Sequence, residues 1–366
     1  MRLAIVCRPL GSLGGVETAT AGLLTELVRR GHGIDLLSTR SQEDVPGVRV
    51  HRLPVVAQPS ILRVLSFALS ARRVAARGAY DVVQSHERGL SQDIYRAGEG
   101  THRAYLLAMG RDGVRVGPYH RIVCGLEKGI FECRRARHIV AISRGGKAEI
   151  ERLYQTPPAA VSLIYNGVDL HRFHPDNRSR WGSVARDALG IDSATWVVLF
   201  VGSGFERKGL APLLQALGRI RDPGCRLVVV GKGNGRPYRE LARRLGIESR
   251  VLWLGQRRDV ERLYAAADVV ALPALYEPFG NVHLEALASG VPVLTSARAG
   301  GSEVVSSGRT GWVVSEPSAD AIAEGLLALR ETDRAAFVQA ARQAAEPFTY
   351  AAEADAFESV YRRLRR

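Results

Sequence analysis

The sequence predicts an α/β protein built from two parallel-sheet, Rossmann-like domains. Three observations carry this. Short apolar runs alternate with stretches of helical periodicity along the chain, the pattern of strands joined by crossover helices. The rhythm breaks and restarts once, across a polar, irregular stretch at residues 166–195, which reads as an interdomain linker. A length of 366 residues is comfortable for two domains, each able to bury its own core.

The elements follow in order. Residues 3–7 are a buried strand, 18–30 a helix with Gly31 as its stop, and 34–38 a second strand. Residues 60–76 are amphipathic, with Leu62, Leu65, Phe67 and Leu69 among the apolar positions. Residues 82–84 form a strand running into Ser85, His86 and Glu87, and 139–142 form another ending at Ser143. The second half opens on a strand at 196–201, followed by Gly202, Ser203 and Gly204. A helix at 210–220, a strand at 226–230 ending at Gly231 and a helix at 238–245 come next. Strands at 251–254, 269–272 and 291–295 complete this sheet. Residues 350–366 are a final helix with Phe357, Val360 and Tyr361 on one side and a basic end.

Composition excludes several classes. With 46% hydrophobic and 24% charged residues, the chain is globular and not disordered. The formal net charge of +14 calls for a polyanionic partner: nucleic acid, an anionic membrane surface or a phosphorylated substrate. Residues 1–167 hold 24 Lys+Arg against 14 Asp+Glu (net +10), and the remainder 27 against 23 (net +4). The basic surplus therefore sits in the first half. The four cysteines form no CxxC pair and no zinc-spaced Cys/His cluster, which fits a reducing compartment. The first apolar run is too short for a signal sequence, and no run approaches the ~18 residues of a membrane helix. The expectation is a cytoplasmic protein, with room for peripheral membrane attachment.

Ligands of an open parallel sheet gather beyond the carboxyl ends of its strands, and two such sheets facing each other make a cleft. The sharpest segment there is Glu277-Pro278-Phe279-Gly280-Asn281-Val282-His283-Leu284-Glu285. Pro278 suits the first turn of a helix. The amides of Gly280, Asn281 and Val282 would then be donors at a positive helix end, and Gly280 would let an anion approach the backbone. Glu285 would follow Glu277 by about two turns, roughly 10 Å. One carboxylate can accept bonds from sugar hydroxyls and the other from ribose hydroxyls, on either side of a diphosphate. A nucleotide diphospho-sugar has this layout.

Further segments join it. Gly202-Ser203-Gly204-Phe205-Glu206-Arg207-Lys208-Gly209 is a flexible loop after a strand, and Arg207 and Lys208 can neutralise a leaving diphosphate. Gly11-Ser12-Leu13-Gly14-Gly15 follows the first strand; Gly14 and Gly15 allow close backbone approach to a phosphate or sugar, but the spacing is not that of a dinucleotide fingerprint. His86 ends a strand and can hydrogen-bond the donor sugar, with a capping role as the plain alternative. Asp93 can orient the acceptor hydroxyl. Residues 101–137 carry eight Lys+Arg against three Asp+Glu, interleaved with Tyr105, Met109, Tyr119 and Phe131. That mixture suits a membrane interface or nucleic acid, and equally a solvated helix pair.

Together these residues resemble the retaining GT-B glycosyltransferases of family 4, the large family that includes sucrose synthase and bacterial mannosyl- and glucosyltransferases. The Glu277…Glu285 pair matches its E-x7-E motif, Arg207-Lys208-Gly209 its R-K-G loop, and Gly14-Gly15 its N-terminal glycine loop. Asn166-Gly167-Val168-Asp169 with Phe173-His174-Pro175 matches its interdomain signature. The resemblance implies a donor-binding C-terminal domain at 168–346, an acceptor-binding N-terminal domain at 1–167, and a C-terminal helix, 347–366, crossing back to the first domain. It implies that Glu277 contacts the donor sugar, Glu285 the ribose, and Arg207 and Lys208 the diphosphate, with Gly231 and Arg258 near the nucleotide. Gly14, Gly15, Ser203, Phe279, Gly280, Asn281 and Val282 complete the expected donor site. Many members carry Arg where this chain has Ser203, which places more of the phosphate load on Arg207 and Lys208. The 201–209 loop, Asp93-Ile94-Tyr95 and the basic stretch look most like the lipopolysaccharide core glucosyltransferases.

The implied reaction is metal-independent transfer of a hexose, glucose from UDP-glucose first, to a lipopolysaccharide heptose or a similar cell-envelope glycan. No D-x-D occurs, in keeping with metal-free chemistry, and no cofactor beyond the nucleotide sugar is expected. UDP-GlcNAc, UDP-galactose or GDP-mannose as donor, or a nucleotide-sugar epimerase of the same fold, are the alternatives. A nucleic-acid binder lacks its RNP, helix-turn-helix or zinc signatures. An NAD enzyme lacks G-x-G-x-x-G, because Arg207 stands where the third glycine would be. A non-catalytic scaffold is disfavoured by the intact Glu277, Glu285 and Lys208.

Overall fold

The computed structural model describes residues 1–10, 14–39, 45–111 and 117–365. Residues 11–13 of the glycine loop and 112–116 of the basic stretch lie outside them. The chain divides into two compact units, one of Val16–Gly167 and Tyr350–Arg366 with the first strand, the other of Val168–Thr349 together with Gly14 and Gly15.

In chain order the first unit comprises β1 (Arg2–Val6), α1 (Gly15–Arg29), β2 (Gly33–Ser38), β3 (Val48–Arg52), α2 (Ser60–Arg77), β4 (Val82–Ser85), β5 (Gln92–Arg96), α3 (His102–Ala108), α4 (Pro118–Phe131), β6 (Ala136–Ala141), α5 (Arg144–Tyr154) and β7 (Val161–Leu163). The second comprises α6 (Ser183–Ala188), β8 (Trp196–Val201), α7 (Leu210–Arg219), β9 (Cys225–Val230), α8 (Arg236–Arg244), β10 (Val251–Gly255), α9 (Val260–Ala266), β11 (Val269–Leu272), α10 (Val282–Ala288), β12 (Val293–Ser296), β13 (Gly311–Val314), α11 (Ala319–Glu331) and α12 (Arg334–Ala345). The last helix, α13 (Tyr350–Leu364), belongs to the first unit.

Both sheets are parallel throughout. The first has the order β3-β2-β1-β4-β5-β6-β7 and the second β10-β9-β8-β11-β12-β13. The strand order reverses between β1 and β4 in the first and between β8 and β11 in the second. At such a point neighbouring loops leave the sheet in opposite directions and open a crevice at its carboxyl edge. Central strands covered on both faces read as continuous apolar runs, as Trp196–Val201 does and as β9 does after Arg226. Helix α13 buries Ala354, Phe357, Val360 and Tyr361 in one cluster with Leu3, Ile5 and Leu23.

The structure adds β3, β5, β7 and β13 to the strands legible from periodicity. β5 is the instructive case: its sequence, Gln-Asp-Ile-Tyr-Arg, is polar, yet all five residues are buried. Asp93 Oδ2 accepts from the Val83 amide at 2.9 Å, and the Arg96 guanidinium donates to Asn166 Oδ1 at 2.7 Å and Glu353 Oε1 at 3.2 Å. Partnered polar groups hide a buried strand from any hydropathy pattern.

The expected linker at 166–195 is a second correction. The boundary falls between Gly167 and Val168, but a π-type turn at Arg178–Gly182 runs straight into α6. This segment is folded because Arg178, Arg186 and Arg334 converge on Asp268 at 3.0, 2.7 and 3.0 Å, while Asp268 Oδ2 also accepts from the Val197 amide at 2.8 Å. One carboxylate thus holds α6, α12 and β8 to the start of β11. Removing it would leave three guanidiniums facing one another without a counter-ion. Asp268→Ala is expected to lower unfolding stability by about 3 kcal/mol, read from urea denaturation, with Asp268→Asn losing less because it still accepts from Val197.

Candidate active site

At the reversal point of the second sheet, β8 ends in the 202–209 loop leading to α7, and β11 ends in a loop leading to α10. The two loops meet at Glu277. Lys208 Nζ donates to Glu277 Oε2 at 2.5 Å and the Arg207 guanidinium donates to the same oxygen at 2.8 Å. Lys208 and Glu277 are buried at 7% and 8% exposure, while the Arg207 side chain is half-buried, and the three together carry one net positive charge.

The backbone is arranged to permit the contact. A Cβ on Gly202 would lie 2.3 Å from Lys208 Cδ, so only glycine leaves the lysine stem its path. Gly209 has φ +77°, and a Cβ there would lie 1.9 Å from the Pro273 carbonyl. The Arg207 carbonyl accepts from the Leu275 amide at 2.8 Å, which ties the loops together beside the charges. On the far side, the Glu277 and Phe279 carbonyls accept from Gly300 at 2.8 Å and Gly301 at 2.7 Å. The 298–301 loop after β12 is therefore part of the site. Its signals in the sequence are Arg298 and the Gly300-Gly301 pair, neither of which matches a motif.

Burial pushes the Glu277 carboxyl up, but Lys208 and Arg207 outweigh it and hold it at about 2. Burial draws the Lys208 ammonium below its ordinary value against the pull of Glu277. Burial raises Glu285, partly offset by the Tyr264 hydroxyl, which donates to its Oε2 at 2.7 Å. His283, which sequence reasoning left without a role, is fully buried behind the loop and lowered to about 4 by burial. Its Nδ1 lies 2.6 Å from the Gly280 carbonyl and its Nε2 2.8 Å from Thr295 Oγ1. A carbonyl only accepts, so the network assigns the proton to Nδ1 and makes His283 a neutral strut for the Gly280 turn.

The structure corrects the helix expected over this segment. Gly280 has φ +84°, and α10 begins only at Val282. Pro278 lies in the loop, not in a first helical turn, and Glu285 stands one turn into α10, not two turns of helix from Glu277. The side chains of Phe279 (0% exposed) and Val282 (8%) are buried, that of Val282 within the core of this unit.

Of the other expected donor residues, Ser203 Oγ accepts from the Lys232 amide at 3.1 Å, and a Cβ on Gly231 would lie 2.1 Å from the Gly202 carbonyl. The loops after β8 and β9 are thus in contact. Beside them lies a cavity of about 360 Å3 bordered by Phe205, Gly231, Gly233, Arg239, Trp253 and Gly255. The Arg239 guanidinium stacks over the Trp253 ring, 4.7 Å from its centroid. Arg258 is exposed on the loop after β10, and its carbonyl accepts from Arg172 at 2.6 Å. Asn281 directly precedes α10. Among the described residues no group of three or more His, Cys, Asp or Glu is arranged to hold a metal ion.

Gly14 and Gly15 stand at the head of α1, which Gly15 opens; the rest of that helix, from Val16, belongs to the first unit. His86 follows β4 at 5% exposure, and both its ring nitrogens are engaged internally. Gln84 Nε2 lies 2.7 Å from His86 Nε2, and His86 Nδ1 lies 3.1 Å from Thr20 Oγ1. Tyr361 donates to Gln84 Oε1 at 2.7 Å, and Thr20 donates to the Val16 carbonyl at 2.8 Å. The amide of Gln84 donates, so His86 is protonated on Nδ1; burial and the charges of Arg96 and Arg8 keep it neutral. His86 is a link in a chain from α13 to α1. Asp93 is not brought to the carboxyl edge. It sits near the start of β5, bonded to Val83 and to Arg137 at 3.3 Å, because a buried carboxylate there needs donors from the neighbouring strands.

Comparison with known proteins places these features. Residues 183–344 match the family described as glycosyl transferases group 1, and residues 13–172 match glycosyltransferase family 4. The chain is 31% identical to a D-inositol 3-phosphate glycosyltransferase of Saccharomonospora viridis over 394 residues, covering 95% of this chain and 89% of that one. It is 26% identical to the lipopolysaccharide glucosyltransferase WaaG of Escherichia coli over 308 residues, covering 83% and 82% of the two chains. A crystal structure of WaaG, described as a glycosyltransferase involved in lipopolysaccharide biosynthesis, superposes with a TM-score of 0.87 at 25% identity, covering 98% of this chain and 99% of that one.

The electrostatics of Glu277 set an acid-stability signature. Its folded value, about 2, lies below the ordinary 4.5, so its contribution is complete above pH 4.5 and is lost as pH falls toward 2. We expect wild type to exceed Glu277→Gln in stability by about 3 kcal/mol at pH 6, and the gap to close as pH falls from 4.5 toward 2, read as urea midpoints across that range.

Proposed function

This chain belongs to the group 1 and family 4 glycosyltransferases, and on that premise we propose that it transfers a hexose from a nucleoside diphosphate sugar with retention of anomeric configuration and without a catalytic metal. Glucose from UDP-glucose is the first donor in this reading, and a lipopolysaccharide heptose or similar envelope glycan the acceptor. The observation that carries it is the convergence of half-buried Arg207 and buried Lys208 on the buried Glu277 at the reversal point of the second sheet. Two cations there can take the charge that grows on a departing diphosphate, in a pocket dry enough to make each worth more than in water. Glu277 beside them can accept sugar hydroxyls, and Glu285 ribose hydroxyls. The cavity next to Gly231, walled by Trp253 and Phe205, suits a planar base.

The chemistry then needs little from the protein as base. The bond between the sugar and diphosphate loosens, Arg207 and Lys208 stabilise the leaving oxygens, and one of those oxygens accepts the proton of the attacking hydroxyl on the same face. The neutral, internally bonded His86 has no free nitrogen for that proton. Among described residues no helix is long and apolar enough to cross a membrane. Helix α4 exposes Arg121 and Lys128 seven positions apart, and so on one side, which supports docking of this face on an anionic surface.

Purified protein in EDTA is expected to release UDP from UDP-glucose faster than from UDP-galactose, UDP-GlcNAc or GDP-mannose, and faster still with heptose-ended lipopolysaccharide. Release from another donor removes the glucose assignment; release from none overturns the transferase reading. Lys208→Ala is expected to lower kcat by about 10²–10³-fold with the fold intact by circular dichroism. Sedimentation with vesicles rich in anionic lipid should fall steeply as salt rises; binding that ignores salt, or none at all, would exclude the docking face.

A further inference from the structure

Arg207 and Lys208 are bound to one oxygen of one carboxylate. A diphosphate that approaches these two cations takes up charge that Glu277 now balances, and the carboxylate beside it repels the second anion. We propose that Glu277 is the built-in counter-ion of the diphosphate subsite, balancing Arg207 and Lys208 through Oε2 until a diphosphate takes over their charge. This rests on the donor-site reading above and adds to it a resting partner for both cations.

The local structure suits an exchange of side-chain partners with the loops held still. The main chain on both sides is pinned, Arg207 to Leu275 and Glu277 to Gly300, at 2.8 Å each. Gly202 leaves open the path along which the Lys208 stem lies. Arg207 already shares its guanidinium with the Tyr276 carbonyl at 3.3 Å, so it has a second acceptor during the exchange. Glu285 is an internal contrast. It is bonded to the neutral Tyr264 hydroxyl and pairs with neither Arg207 nor Lys208. Removing its charge therefore changes the field at the subsite without freeing either cation.

The test is calorimetric titration of inorganic pyrophosphate, which carries no ribose or sugar. Glu277→Gln should bind it about tenfold more tightly than wild type, equivalent to about 1.4 kcal/mol. Glu285→Gln should stay within about twofold, since it frees no donor. Lys208→Ala should weaken binding in wild type and in the Glu277→Gln background. Equal or weaker binding by Glu277→Gln, with Lys208 still required, overturns the counter-ion role and leaves the donor site standing. Binding that is absent from wild type, or indifferent to Lys208, overturns both. Wild type gives a readout free of folding effects: the 13C carboxyl resonance of Glu277 should shift when pyrophosphate is added, and an unmoved resonance at saturation overturns the proposal.

Discussion

A carboxylate and a lysine cannot be buried together unless each is paired, and the second unit is organised around that requirement at Glu277, with half-buried Arg207 as the second cation. Taking an ion out of water costs several kcal/mol, and breaking such a cluster leaves the remainder uncompensated. The glycines at 202 and 209 let the lysine stem and the Pro273 carbonyl pass at distances no side chain would allow. Neutral His283, braced between Gly280 and Thr295, holds the loop without adding charge. The parallel sheet provides the setting, because β8 and β11 are adjacent and the loops that leave their carboxyl ends meet at Glu277.

The carboxyl edge of the first sheet meets the same requirement by other means. Tyr361, Gln84, His86, Thr20 and the Val16 carbonyl form one uncharged chain of hydrogen bonds, which also fastens the final helix to the first. Around it Arg8 pairs with Glu87 and Glu99, and Arg88 with Glu99 and Glu127. The basic surplus of this half lies elsewhere, on exposed positions such as Arg63, Arg72, Arg73 and Arg77 of α2, a helix with no acidic residue. Surplus positive charge is thus carried at the surface, where water screens it, while at this edge Arg8 and Arg88 face three carboxylates.

What could be read from the residues alone was local. The strand at 196–201, the loop bearing Arg207 and Lys208, and the two carboxylates at 277 and 285 announce themselves through periodicity, glycine spacing and charge. Periodicity also located both sheets, because a strand covered on both faces must be apolar along its length. The same logic failed where polar groups are buried with partners, as in β5, and where a carboxylate gathers arginines from distant segments, as Asp268 does for the expected linker.

The sequence by itself determined the fold class, the positions of the loops that carry chemistry, and the residue types at the centre of the site. Only the tertiary structure decided that Glu277 receives both cations from residues about 70 positions earlier. It likewise decided that α10 starts after a left-handed Gly280, that Phe279 and Val282 turn inward, and that Asp93 and His86 serve internal hydrogen bonds. The reason is physical. Composition and spacing fix a segment's own conformation, but which side chains share a pocket is set by strand order and crossover packing, and these join segments whose separation along the chain carries no local signal.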